Sequence, residues 1–402
     1  MIPASWEKHT VGKLCQSIVP GRNKPKIFDG DIPWVTTPDI SGRYIPSKLQ
    51  KKYVSKAAIK DAGGRLVPEG AVIMAAVGDL GLVAIAKENV VLNQQLHAFL
   101  CSEKIHNEFL AYWLETQTPY MESVASKTTI SYMNKANCES IPVLVPPLIE
   151  QIKIAKILSV WDGAIATTEQ LLANRQKHKK ALMQQLLTGK RCFPEAGGKW
   201  GKYNLGDLGD TYNGLSGKSK NDFGSGKKYI PYMNIFKNSC VDIHDFELVA
   251  IHDGERQNKV KFGDILFTTS SETPEEVGMS SVLLEHIEEL HLNSFCFGFR
   301  LNDFDTLRPE YARYYFRSEH IRKEISILGQ GATRYNLSKK QLMKLTLKLP
   351  GVDEQIKIAS VLSITDQEIE NLKKQLNHLK QEKKALMQQL LTGKRRVKTE
   401  VA

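Results

Sequence analysis

Residues 179–191 read KKALMQQLLTGKR, and residues 383–395 read KKALMQQLLTGKR again, 204 positions later. At the same offset Pro146, Glu150, Gln151, Ile152, Lys153, Ile154 and Ala155 return as Pro350, Glu354, Gln355, Ile356, Lys357, Ile358 and Ala359. Thirteen identical residues in register lie far beyond chance, and an offset of half the chain signals tandem duplication. Any fold for this chain must therefore accommodate two similar halves, each closing with the same long segment.

The repeated segments read as helices with a seam. In the second copy Ile358, Leu362, Thr365, Ile369, Leu372, Leu376, Leu379, Lys383, Leu386 and Leu390 alternate at spacings of four and three. The first copy places Ile154, Leu158, Trp161, Ile165, Thr168, Leu172, Arg175, Lys179, Leu182 and Leu186 at the equivalent positions. This is a coiled-coil pattern sustained over about five heptads. Each helix is expected to stop at a glycine, Gly189 or Gly393, followed by basic residues suited to a helix C-terminus. About 38 residues at ~1.5 Å each make a rod of about 57 Å. A seam needs a cover, and two matching rods in one chain can supply it to each other. The periodicity leaves their relative direction open, and pairing with another chain is the alternative.

The segments before the rods show weaker parallels. Trp6–Leu14 resembles Trp200–Leu208, and Ile32-Pro33-Trp34-Val35 answers Ile230-Pro231-Tyr232-Met233. Gly70-Ala71-Val72-Ile73-Met74 answers Gly263-Asp264-Ile265-Leu266-Phe267, each a short apolar strand leaving a glycine turn. Aromatic-rich helical stretches follow at Phe109–Thr116 and Tyr311–Arg317, then β-like approaches to the rods at Ile141–Val145 and Leu345–Leu349. The reading is one mixed α/β domain used twice. Between these landmarks the loops diverge: Asp210–Lys228, rich in Gly, Ser, Asn and Lys, has no close counterpart, and Val77–Ala84 differs from Thr269–Gly278. Shared scaffolds with unlike loops suggest one mechanical role and two contact surfaces, although neutral drift of loops gives the same appearance.

Chemistry of the enzymatic kind is hard to find. Gly217-Lys218-Ser219 lacks the glycine five positions earlier that a phosphate-binding loop requires, since position 212 is Tyr. Gly224-Ser225-Gly226-Lys227 has the wrong spacing and no following Ser or Thr. His244-Asp245, His252-Asp253 and Glu255 invite a metal-site reading, but adjacent residues do not converge by themselves, and exposed turns explain them better. No dinucleotide, zinc-protease or serine-hydrolase motif occurs, nor the Asn-Pro-Pro-aromatic stretch of amino-methyltransferases. The six cysteines are scattered without a CxxC pair, which fits free thiols in a reducing compartment. The longest apolar stretches fall short of a membrane span and the first residues lack a secretory pattern, so a cytoplasmic protein is expected. A net charge of +11 makes an anionic partner plausible. Cations cluster at Arg22, Lys24 and Lys26 and again at Lys218, Lys220, Lys227 and Lys228.

The stretch Pro146-Pro147-Leu148-Ile149-Glu150-Gln151-Ile152-Lys153-Ile154-Ala155-Lys156-Ile157-Leu158 and its return from Pro350 to Leu362 resemble the start of the conserved spacer helices in specificity (S) subunits of type I restriction–modification systems. The helix ends, Leu187-Thr188-Gly189-Lys190 and Leu391-Thr392-Gly393-Lys394, resemble that family equally, and the likeness spans the whole chain. What it implies is an α/β fold: two similar target-recognition domains separated by an antiparallel coiled coil of two long helices, with a pseudo-twofold internal repeat. The boundaries expected are a first recognition domain at 1–145, a first spacer helix at 146–191, a second recognition domain at 192–349, a second spacer helix at 350–395 and a basic tail at 396–402.

The same resemblance implies a non-catalytic subunit that reads a bipartite, asymmetric duplex DNA target. It implies docking of two modification (methyltransferase) subunits and of restriction/translocase subunits. S-adenosylmethionine, ATP and Mg would then belong to those partners, with no cofactor in this chain. Residues expected at DNA are Arg22, Lys24, Lys26, Lys218, Lys220, Lys227, Lys228, Arg334 and Tyr335, lysines and arginines for phosphate and loop side chains for base edges. Where the second half has Gly331-Ala332-Thr333-Arg334-Tyr335-Asn336-Leu337, the first has Lys127-Thr128-Thr129-Ile130-Ser131-Tyr132-Met133, without the arginine or the leading glycine. The alternative function is a structural adaptor, not bound to DNA, with two binding modules on a helical scaffold.

Overall fold

The computed structural model describes residues 3–21, 23–46, 50–127, 129–193 and 199–398. Contacts divide the chain into two compact units, one of Met1–Glu169 with Gln375–Ala402, the other of Gln170–Lys374. Both rods are single helices, Leu148–Leu186 and Val352–Leu390. Neither contains proline, and Gly189 and Gly393 follow at φ +72° and +71°, the left-handed conformation that closes a helix and that side chains resist.

Each unit contains a stretch of both rods, and in each the two stretches run antiparallel. In the first unit Asp162 meets Lys383 and Glu169 meets Lys380; in the second Arg175 meets Glu368 and Lys179 meets Asp366. The numbers rise along one rod as they fall along the other. Ile154, Leu158, Leu186, Ile358, Leu362, Ile369 and Leu390 are buried. Trp161, Ile165, Leu172, Leu182, Leu372, Leu376, Leu379 and Leu386 are half-buried.

In the first unit Glu7–Thr10 pairs antiparallel with Pro142–Val145 just ahead of the rod. A five-stranded sheet orders Cys15–Ile18, Leu96–Cys101, Val72–Ala75, Val83–Ala86 and Tyr44–Ile45. A smaller sheet orders Tyr53–Val54, Ile32–Val35, Val90–Leu92 and Leu66–Val67. Phe99, Phe109 and Tyr112 share one apolar core with Ile154, Leu158, Leu390 and Leu391, so the rods complete the domain rather than merely abut it.

The second unit repeats the plan. Gly201–Asn204 pairs with Thr346–Leu349, and a four-stranded sheet orders Gly209–Asn213, Cys296–Leu301, Ile265–Thr268 and Ser280–Val282. Phe267 stacks on Phe297 at 5.5 Å and meets the edge of Phe316 at 5.4 Å, in a core shared with Leu186, Leu187, Ile358 and Leu362. The glutamines of the repeated Glu-Gln pair make matching clasps. Gln151 accepts from the His106 amide and donates to the Lys104 and Pro146 carbonyls. Gln355 accepts from the Arg308 amide and donates to the Thr306 and Pro350 carbonyls. Both side chains are buried and fully satisfied, which fixes how each rod leaves its sheet.

Two sequence parallels need revision. Trp34 and Val35 pair with Val91 and Leu92, while Tyr229 and Ile230 pair with His291 and Leu292. The sheet thus equates Trp34 with Tyr229, three residues before the Tyr232 that the similar Ile-Pro-aromatic words suggested, because ladder register and not local wording sets equivalence. Asp210–Lys228, read as loop, contains most of the strand Gly209–Asn213 and the start of the strand Phe223–Ile230. Most of the latter is exposed, so its polar composition hides its extended backbone. The parallel between Val72-Ile73-Met74 and Ile265-Leu266-Phe267 holds residue for residue: Phe99 faces Val72 as Phe299 faces Ile265.

Candidate nucleic-acid interface

In the first unit the strand Ile32–Val35 delivers Trp34 to the floor of a cleft lined also by Lys24, Thr36, Asp39, Lys51, Lys52 and Asn93. Its rim is fixed by a capping box, in which the Asp39 carboxylate accepts from the Thr36 amide at 2.9 Å and hydroxyl at 2.6 Å. Across the cleft the Asn93 amide group donates to Gln95 at 3.0 Å. Lys52 lies 4.8 Å and Lys24 6.0 Å from the centre of the Phe28 ring. Phe28 in turn meets Trp34 edge-on at 6.0 Å. Cations gathered on aromatic faces, beside amide side chains, suit a phosphate backbone with adjoining bases.

The second unit has a cleft lined by Tyr232, Met233, Phe236, Ser270, Ser271, Glu272, Glu276, Thr333 and Arg334. Tyr232 stacks on Phe236 at 5.9 Å and donates its hydroxyl to the Ser270 carbonyl at 2.8 Å. Burial holds that phenol above its ordinary pKa, so it remains a donor. Tyr335 pairs with Ser271 in a short ladder, which brings the exposed Arg334 to the mouth of the cleft. Gly331 makes this turn possible: its φ is +136°, and a Cβ there would stand 2.1 Å from the Arg334 carbonyl oxygen.

The residues expected at DNA divide into distinct settings. Lys24 lines the first cleft, while Arg334 lines the second with Tyr335 beside it. Lys26 and Lys220 are exposed elsewhere, and Arg22 lies outside the described residues. Lys227 is paired with Glu289, and Lys228 lies 5.9 Å from the Phe246 ring centre. Lys218 is turned inward, its side chain 4% exposed, donating at 2.6 Å both to Glu255 and to the Ala250 carbonyl. That ammonium draws the Glu255 carboxyl down to about 2. The Glu255 carboxylate, which also accepts from the His252 amide, thus belongs to a loop clasp, and no group of three metal-ligating side chains occurs among the described residues.

Sequence reasoning missed the residues that shape the second cleft. Arg317 sits at the C-terminal end of the helix Tyr232–Lys237 and donates to the Ile235, Phe236 and Asn238 carbonyls and to that of Ser280. Arg322 donates to the carbonyls of Glu275, Val277 and Gly278, the backbone leading from the cleft wall. Burial lowers both guanidinium groups to about 10. A cation against helix-terminal carbonyls is favourable even without a carboxylate. Nothing in the local sequence around Arg317 and Arg322 separates them from surface arginines. The first cleft's Lys51, Lys52 and Asn93 were missed as well, since the two lysines precede the strand Tyr53–Val54 while Asn93 follows the distant strand Val90–Leu92.

A family model described as the type I restriction modification DNA specificity domain matches residues 3–174 and again 197–381. The specificity subunit of the type I restriction enzyme MjaVIII of Methanocaldococcus jannaschii is 26% identical over 99% of this chain and 94% of its own length. The EcoKI specificity subunit of Escherichia coli is 25% identical over 81% of this chain and 74% of its own. The crystal structure of a type I S subunit from M. genitalium superposes with a TM-score of 0.60 at 16% identity, covering 97% of this chain and 96% of that one. The twofold family match, the repeated α/β scaffold and the antiparallel rods converge: this chain belongs to the DNA specificity family of type I restriction–modification systems, as a target-recognising subunit that is not itself the catalyst.

Proposed function

We propose that the two clefts read the two unlike elements of a split, asymmetric duplex target, one element per half. The observation that carries this reading is a shared scaffold with unlike linings. Where the first half offers Trp34, Lys51, Lys52 and Asn93, the second offers Tyr232, Phe236, Ser271 and Arg334. Identical clefts would favour two copies of one element; these do not match. Lys24, Lys51 and Lys52 serve phosphate, and Arg334 and Asn93 serve base edges. Lys26, Lys220, Lys227, Lys228 and Tyr335 add to the surrounding contact surface, Lys218 shapes its loop from inside, and Arg22 remains a phosphate candidate.

Association with DNA and with the other subunits of the system follows from the family. The finer partnership is ours: two methyltransferase subunits, one for each repeated rod, with restriction/translocase subunits joining them. Exposed apolar side chains recur on both rods, Ile152 and Val160 on the first and Ile356 and Ile364 on the second. These give one partner surface two places to sit. S-adenosylmethionine, ATP and Mg would act in those partners.

Mapping adenine methylation across a genome carrying this chain and its partner subunits tests the reading. Two different elements around a fixed gap are expected, and exchanging one recognition domain should change one element alone. A continuous palindromic motif would refute it.

A further inference from the structure

The first recognition domain narrows at one place, and two thiols meet there. Cys15 opens the strand Cys15–Ile18 and Cys101 closes the strand Leu96–Cys101, and the antiparallel ladder sets them directly opposite each other. The Ser102 amide donates to the Leu14 carbonyl at 3.0 Å. That bond flanks the cysteines, so they are a pair without ladder hydrogen bonds between its own members. Pairs of this kind bring their Cα atoms to about 4.5 Å, within the range that a disulfide spans. Both side chains turn to the face that meets the domain core, and the sulfurs stand 3.9 Å apart as free thiols.

Every residue lining the first cleft, Lys24, Trp34, Lys52 and Asn93 among them, lies between these two cysteines in the sequence. The chain therefore enters and leaves the cleft-bearing region side by side at Cys15 and Cys101. The second domain has the same neck. Gly209 faces Leu301, and the Asn302 amide donates to the Leu208 carbonyl at 2.9 Å. Glycine and leucine carry no thiol, so the shared scaffold does not require one, and the dithiol is particular to the first half.

The two thiols have unequal settings. Cys15 is 8% exposed, within the core, whereas Cys101 is half-buried at its rim. The hydrogen bond to Cys101 and burial hold the Cys15 thiol well above its ordinary range, so it stays the proton donor of the pair. Cys101 is the sulfur that an oxidant in solution reaches, and Cys15 is in place to resolve the product.

We propose that Cys15 and Cys101 are a site of reversible oxidation by hydrogen peroxide, whose disulfide staples the neck of the first recognition domain. The Cys101 sulfur attacks one peroxide oxygen; the O–O bond breaks, leaving a sulfenic acid and one water. The Cys15 sulfur then attacks the Cys101 sulfur. The S–S bond forms as the S–O bond breaks, and the Cys15 proton leaves with the hydroxide as a second water. Two thiols and one hydrogen peroxide thus give one disulfide and two waters, with two electrons passing from sulfur to oxygen. A small thiol reductant reverses the step by exchange.

The test uses the full chain, freshly reduced and then treated with a small excess of hydrogen peroxide under native conditions. After denaturation, alkylation of the remaining thiols and digestion with trypsin, mass spectrometry should find the peptides carrying Cys15 and Cys101 joined. The joined pair should be two hydrogens lighter than the sum of its parts, and dithiothreitol should part it. Oxidation should raise the melting temperature of the first unit by about 5–10 °C, and reduction should restore it. Cys101→Ser and Cys15→Ala should show neither the link nor the rise. The wild type is decisive even if a variant fails to fold: both peptides recovered alkylated and unlinked after peroxide would overturn the site, as would a link that forms only in urea. A native link with unchanged melting and unchanged amide exchange across Cys15–Ile18 would overturn the staple.

Discussion

Lys383 sets its ammonium on the Asp162 carboxylate of the other rod, where the Tyr112 hydroxyl also donates at 2.6 Å. The second unit repeats the knot with Lys179 on Asp366 and the Tyr314 hydroxyl at 2.8 Å. An arginine joins each, Arg43 in the first and Arg313 in the second, lying 3.8 Å and 4.6 Å from the respective tyrosine ring centres. One carboxylate per unit therefore ties both rods and the recognition domain together.

Asp162→Asn should destabilise the first unit by about 2 kcal/mol at neutral pH, because a half-buried pair loses its anion. Burial opposes ionisation of Asp162, but hydrogen bonds from Lys383 and Tyr112 outweigh it and leave the carboxyl below its usual 3.8. A depressed carboxyl contributes stability above its unfolded value and loses it as pH falls through the folded one. Thermal unfolding should show the difference between wild type and variant shrinking below about pH 4. A gap that stays constant into acid would contradict this.

Arg334→Ala should weaken specific DNA binding by about tenfold to a hundredfold, the scale of one lost base contact. Methylation should relax at one target position only. Gel-shift titrations against the cognate and a scrambled duplex would separate this from loss of a phosphate contact, which lowers both affinities alike.

Lys51→Ala and Lys52→Ala should each reduce the slope of log affinity against log salt by about 1, with little change in selectivity. Lys218→Ala should leave the slope intact, since its ammonium already serves Glu255 and Ala250. It should instead destabilise the loop by about 1–3 kcal/mol. Equal slopes for all three variants would argue against this division of roles.

Arg317→Ala strips donors from four carbonyls, and should lower the stability of the second unit by about 2–4 kcal/mol. Amide exchange should rise first in the helix Tyr232–Lys237, which that side chain closes. Unaltered protection of Ile235 and Phe236 would show that the clasp is dispensable.

The duplication, the rods and their glycine stops were legible because periodicity and identity are local signals. The antiparallel direction was not, for heptads are blind to it; it rested on resemblance until Asp162 and Lys383 were seen to meet. The clefts were legible only in part. Lys24 and Arg334 were found from charge and from a glycine-led turn, but Trp34, Lys52 and Asn93 converge from separate strands that sequence neighbours do not reveal. Lys218 misleads for the opposite reason: a lysine in a Gly-Ser loop reads as exposed, yet Glu255 arrives from 37 residues away to bury it.

The first unit draws on both ends of the chain, Met1–Glu169 and Gln375–Ala402, whereas the second is one continuous run, Gln170–Lys374. During synthesis the second unit is complete while the last part of the other rod is still being made. The first domain's core, which holds Ile154 and Leu158, must wait for Leu386, Leu390 and Leu391 to leave the ribosome before it is complete. The half made first is therefore finished last, and a nascent chain cut short before residue 375 would own a finished second module beside a first one that has yet to close.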